Sequence, residues 1–162
     1  MFEFPDPVNE ISARLVAAGV VVMCIATLAL RAPIVLVPLA YGFVARVLAG
    51  PRFSPLGRLV TQVITPALPV KAKLVPGPPK RFAQAIGATL SVAAVVLHFA
   101  FGATTAAYVC VGLILVAATL ESVFAICLGC ILFGALMRAG IIPESVCERC
   151  NDIWASPHAP SR

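Results

Sequence analysis

The run Ala106–Met137, AAYVCVGLILVAATLESVFAICLGCILFGALM, contains one charged residue, Glu121, and no proline. At about 1.5 Å per residue, a crossing of about 30 Å of hydrocarbon takes about 20 residues, so this run is too long for one upright helix. Either it tilts and emerges as one helix, or it breaks near Glu121 and Ser122 into two pieces, one of them re-entrant or interfacial. We expect a single crossing with a kink or extension. Arg138 and Gly140 mark its C-terminus and Pro143 blocks any continuation.

Working back from that run, Gly102–Thr105 reads as a turn and Phe82–Phe101 as a third span, opened by Pro78 and Pro79, which suit a helix start. Gly50–Arg81 is rich in proline and cations and reads as a basic loop. Within it Leu56, Leu59, Val60, Val63, Ile64 and Leu68 recur at helical spacing. That pattern fits an amphipathic helix lying in the membrane interface, or equally a short connector packed on the bundle. Leu15–Leu30 with a helical lead-in from Val8 to Arg14 is the first span. Arg31–Pro33 is a tight turn, and Ile34–Ala49 is a second run bent at Pro38.

The expected fold is therefore all-α: an integral membrane bundle of four transmembrane helices, at about residues 11–30, 33–49, 82–101 and 106–137, with an interfacial amphipathic helix in the loop 50–81. Residues 1–142 form this domain and residues 143–162 a polar, cysteine-containing tail. Composition agrees, since 60% of the 162 residues are hydrophobic and 12% charged, with a mean hydropathy of +1.00. Those values lie far from a soluble domain and give a nucleic-acid role no footing. Glu3, Asp6 and Glu10 precede the first hydrophobic run without a basic n-region, so no removable signal peptide is expected.

With four crossings, eleven of the twelve cations fall on one side and only Arg31 on the other. The positive-inside rule then places both termini and the basic loop in the cytosol, and the protein in the plasma membrane as a multi-pass protein. Anionic lipids are expected partners of that loop.

Chemistry enters with two CxxC pairs. Cys127 and Cys130 lie late in the last hydrophobic run, and Cys147 and Cys150 lie in the tail. Residues three apart share a helix face, so each pair can offer two sulfurs to one partner, as thiol exchange or metal chelation requires. A disulfide within a regular helix would be strained, which asks for Cys127 near a helix start or for Gly129 to ease the turn. The spacing C-x2-C-x16-C-x2-C also suits a four-cysteine zinc site made by Cys127, Cys130, Cys147 and Cys150, although Ile131–Met137 looks like apolar helix rather than a zinc ribbon. Packing without chemistry is the third reading. Arg149 favours a thiolate in the tail pair, which makes that pair the more reactive in prospect.

Glu121 is the one acid inside a hydrophobic run and must face the bundle interior or a wet cavity. It is a candidate site residue, set against the plainer reading of a neutral carboxyl hydrogen-bonded to a neighbouring helix through Ser91 or Thr89. On an unbroken helix it faces away from Cys130. Cys24 and Cys110 read as small buried hydrophobes, His98 as a packing or interfacial histidine and His158 as part of the tail.

Three phrases carry a family likeness: Phe4-Pro-Asp-Pro-Val-Asn-Glu, Pro78-Pro-Lys-Arg-Phe-Ala-Gln-Ala-Ile-Gly and Phe124-Ala-Ile-Cys-Leu-Gly-Cys. Over about Asp6 to Met137 the chain resembles an uncharacterised bacterial integral membrane family, domain of unknown function 4395. Its tail pair looks like an actinobacterial addition. The resemblance implies a membrane protein, draws attention to Cys127 and Cys130, and suggests thioredoxin-like or sulfurtransferase proteins as partners. The arrangement is also similar to quinone-linked disulfide-forming bundles, which makes a quinone a candidate cofactor beside zinc, although no quinone-site residues are identifiable. The functional expectation is a cytosolic-side CxxC relay for thiol-disulfide redox or sulfur transfer. The alternative is a noncatalytic membrane subunit or scaffold clasped by zinc.

Overall fold

The structure, a computed structural model, describes residues 6–147. Its order is β1 (Val8–Asn9), α1 (Glu10–Ala29), α2 (Leu36–Ala49), α3 (Pro55–Leu59), α4 (Thr65–Ala67), β2 (Leu74–Val75), α5 (Gly77–Phe99), α6 (Thr104–Phe124) and α7 (Leu128–Arg138). Four stretches are long and apolar enough to cross a membrane: α1, α5, α6 and the helical region Pro33–Ala67 that contains α2, α3 and α4. Outward-facing Val22, Val92, Val109 and Val116 are all more than two-fifths exposed. In water such a surface would be a liability, whereas lipid tails solvate it without cost.

α1 starts later than periodicity suggests. Asn9 has extended backbone and its side chain accepts from the Ile11 N–H, so the helix opens at Glu10 rather than at Val8. The residues before it pair antiparallel with the segment leading into α5, Val8 opposite Val75. Asp6 Oδ1 also accepts from the Gly77 N–H at 3.0 Å. An acidic group at that N-terminus offsets the helix dipole. α5 includes Pro78 and Pro79 in its first turn and brings Lys80 and Arg81 from the expected loop into a helix.

Between α2 and α5 the chain turns at Gly50, where φ is +65°, and Ser54 caps α3 by accepting from the Gly57 N–H. The helix widens to a π-helical turn over Val60–Ile64 before α4. Pro66 supplies the reason, because it lacks the N–H that an α-helical turn would use there. This helical segment lies along α1. The Leu56 side chain fills the space over Gly19, and Ser12 and Thr65 share a 2.9 Å hydroxyl hydrogen bond. Val60 is buried while Leu59 and Val63 face outward.

α1 packs along α6, α2 along α5, and α5 along α6. Their shared core includes Cys24, Leu36, Leu39, Ala94, Ala107 and Val111. The long final run divides into two helices rather than one bent or extended helix, and of the two only Thr104–Phe124 is long enough to cross. Ala125 turns left-handed at φ +57°, the Ile126 N–H returns to the Leu120 carbonyl at 3.1 Å, and Cys127 caps the separate α7. The break follows Phe124, three residues beyond Glu121. Arg14 from α1 makes it stable, donating to the Ser122 carbonyl at 3.0 and 3.1 Å and the Val123 carbonyl at 3.2 Å. A guanidinium there satisfies carbonyls that the ended helix leaves open and meets the negative end of its dipole.

α7 docks on the start of α5. The Phe82 and Phe133 rings lie 5.6 Å apart, and a Cβ on Gly129 would stand 2.5 Å from Cα and Cβ of Ala83. Gly129→Val must therefore push the two helices apart. We expect a loss of about 1–3 kcal/mol, the usual cost of overpacking, read as a lower unfolding temperature, whereas valine at Gly134, which has open space around it, leaves stability nearly unchanged.

Candidate dithiol site

The break after α6 places Cys127 at the N-cap of α7, where its Sγ accepts from the Cys130 N–H at 3.4 Å. Cys130 is one turn into the helix, and the two sulfurs stand 2.7 Å apart. Both are free thiols, Cys127 buried and Cys130 half-buried. This is the helix-start placement that the spacing required. The Cys130 S–H donates to Cys127 and holds the Cys127 thiol below its ordinary pKa, helped by nearby Lys80 and opposed by burial and by Glu121. The same bond, together with burial, pushes the Cys130 thiol up. Cys127 is thus the more acidic thiol of the pair and Cys130 the proton-bearing partner.

Glu121 does not bond to Ser91 or Thr89. Those hydroxyls return to carbonyls of their own helix, Ala88 and Ala85. Glu121 instead pairs with Lys80 Nζ at 2.5 Å, both side chains nearly buried. Lys80 was hidden from sequence reading by its place among loop-like prolines. The signal was available in the spacing of Pro78 and Pro79 before an apolar run, which makes Lys80 a first-turn residue.

Behind Cys127 lies a cavity of about 340 Å³ between α1, α5, α6 and the start of α7. Val16, Val20, Leu90, Leu113 and Leu132 give it apolar walls, and Glu121 and Cys127 are among its few polar groups. The dithiol therefore faces an oily chamber on one side.

The tail pair is placed differently. Cys147 is disulfide-bonded and packs with Phe133 and Met137. Seven helical residues from Cys130 to Met137 correspond to about 10 Å of rise, so Cys147 sits by the far end of α7 from the dithiol. Cys150 lies outside the described residues, as does His158. Among the described residues no three His, Cys, Asp or Glu side chains converge as metal ligands. His98 stacks on Tyr108 and shares a hydrogen bond with Thr104, as a packing histidine would. Cys24 is fully buried in the core.

Together the four candidate spans, their exposed apolar surfaces and the shared helical core define a polytopic α-helical membrane protein. The chain belongs to the family described as domain of unknown function DUF4395, which matches residues 8–138. No curated protein and no solved structure matches the chain. The second and third phrases noted in the sequence meet where Gly129 lies against Ala83, and Asp6 of the first bonds Gly77, the residue just before the second.

Proposed function

We propose that the protein is a membrane thiol-disulfide oxidoreductase whose working pair is Cys127 and Cys130, with the end of the bundle carrying the basic loop facing the cytosol. The observation that carries this reading is the 2.7 Å approach of two free sulfurs at a helix N-terminus. In exchange, the Cys127 thiolate attacks one sulfur of a partner's disulfide, and the other partner sulfur leaves as a thiolate. Cys130 then gives up its proton and attacks Cys127 in the mixed disulfide. This closes the internal disulfide and releases the partner as a dithiol. A soluble thioredoxin-like protein suits the exchange. Run in reverse, the same exchange oxidises a partner dithiol and leaves Cys127 and Cys130 reduced; a quinone, which suits the apolar chamber, would then accept their two electrons and two protons and restore the disulfide.

Differential alkylation of isolated membranes across glutathione redox buffers tests the reading. Cys127 and Cys130 should become protected together in one two-electron transition. Both thiols remaining alkylatable under every oxidising buffer would overturn it, and stoichiometric zinc released by Cys147→Ser would replace it with the zinc-clasped scaffold.

A pH dependence follows from the lowered Cys127 pKa. Thiolate is present above the folded pKa and lost as pH falls through it, so Cys127 alkylation should reach half its maximal rate below the pH of an ordinary thiol. Cys130→Ala removes the principal cause and should move that midpoint upward, whereas Cys130→Ser, which keeps a donor, should move it less.

A further inference from the structure

Arg46 is a cation sealed in the bundle, 5% exposed. Its guanidinium lies over the Phe43 ring, 4.6 Å from the centroid. Nε donates to Gln84 Oε1 at 2.9 Å and Nη1 to Ser54 Oγ at 3.1 Å. Nη2 is buried and has no hydrogen-bond partner among the described residues. A guanidinium cannot shed its charge by losing a proton, so open donors on a buried one are costly until an acceptor meets them. The fixed plane, held by a ring below and two acceptors at its edge, is ready-made for an oxygen anion.

Beside Arg46 is a cavity of about 320 Å³. It is separate from the chamber behind the dithiol, although Val16 and Gln84 line both. Lys80, Gln84, Ser12, Thr61 and Thr65 line it together with Arg46; no described Asp or Glu lines it, but Glu121 stands just behind, paired with Lys80 and close enough for its charge to act on Arg46. The Ser12–Thr65 bond uses one hydroxyl hydrogen and leaves the other to give. The volume is about ten times the ~30 Å³ of a water molecule, enough for a tetrahedral oxyanion with some solvent.

We infer that this cavity is an anion site in which Arg46 Nη2, supported by Lys80 and the hydroxyls, binds a sulfate- or phosphate-type oxyanion, free or as the phosphate of an anionic lipid headgroup. The inference stands apart from the thiol chemistry and does not depend on it.

The full chain, purified in nonionic detergent and stripped of lipid, tests it by thermal unfolding in sulfate or phosphate against chloride at equal ionic strength. We expect a saturable rise in unfolding temperature with the oxyanions alone. Apparent affinity should fall about tenfold or more in Arg46→Gln, as expected for loss of a charge-assisted contact. Because Arg46→Gln disturbs a buried network, Ala13→Leu, which fills the cavity wall and leaves Arg46 intact, provides a second test with the same expected loss. Nanodiscs of phosphatidylcholine with and without phosphatidylglycerol separate the sources. Stabilisation by free sulfate or phosphate assigns a soluble anion, and stabilisation by phosphatidylglycerol alone assigns a headgroup. Equal behaviour in sulfate, phosphate, chloride and both kinds of nanodisc, or a response unchanged in both variants, would overturn the site.

Discussion

Lys80→Met should lower the stability of the bundle by about 3–5 kcal/mol, the usual consequence of leaving one member of a buried ion pair without the other. The side chains of Lys80 and Glu121 are 10% and 13% exposed, so water can do little to solvate the carboxylate left behind. Glu121→Leu should cost a similar amount by stranding the ammonium. The double variant Lys80→Met with Glu121→Leu is the informative partner, because it replaces both charges by apolar groups in an apolar setting. It should recover most of the loss, and thermal unfolding of the four proteins in one detergent measures the coupling. Additive losses would mean that the pair is incidental and that each side chain acts through packing alone. The pair also fastens α5 to α6 beside the dithiol, so Lys80→Met should raise the pH needed to form the Cys127 thiolate, since Lys80 is one of the groups that lowers it.

The second large effect concerns the sulfurs themselves. Cys127→Ser should reduce thiol exchange to the background of the buffer, because it removes the group that carries the negative charge in the attack. Cys130→Ser should behave differently. Cys127 remains at the helix N-terminus and can still attack, but nothing resolves the product, so a mixed disulfide should accumulate and be visible as a mass increase on Cys127. Equal reactivity of the two single variants would contradict the division of labour assigned by the Cys130 S–H donating to Cys127.

Much of this was legible from residue types. The apolar runs predict four crossings because hydrocarbon excludes unpaired backbone and charge over a known thickness. The need for a helix start at Cys127 follows from the reach of two sulfurs three residues apart. Other features were not legible because they depend on what lies opposite. Glu121 carries no mark of its partner, and the nearest hydroxyls on paper, Ser91 and Thr89, prefer carbonyls of their own helix. The break after Phe124 has no proline or glycine at the turn itself. It is held by Arg14, more than a hundred residues earlier. The two CxxC pairs look like neighbours along the chain, yet α7 is a rigid spacer between the dithiol and Cys147.

Composition and periodicity by themselves thus determined that this chain is a helical membrane protein with thiols near the end of its last apolar run, since hydrophobic free energy adds residue by residue and needs no partner to be counted. Tertiary structure alone decided which charge meets Glu121, that Arg46 is buried with an open donor, and that Cys127 opens a helix against an apolar chamber. Those properties belong to pairs of groups, and pairing is set by how helices pack rather than by any local stretch of sequence.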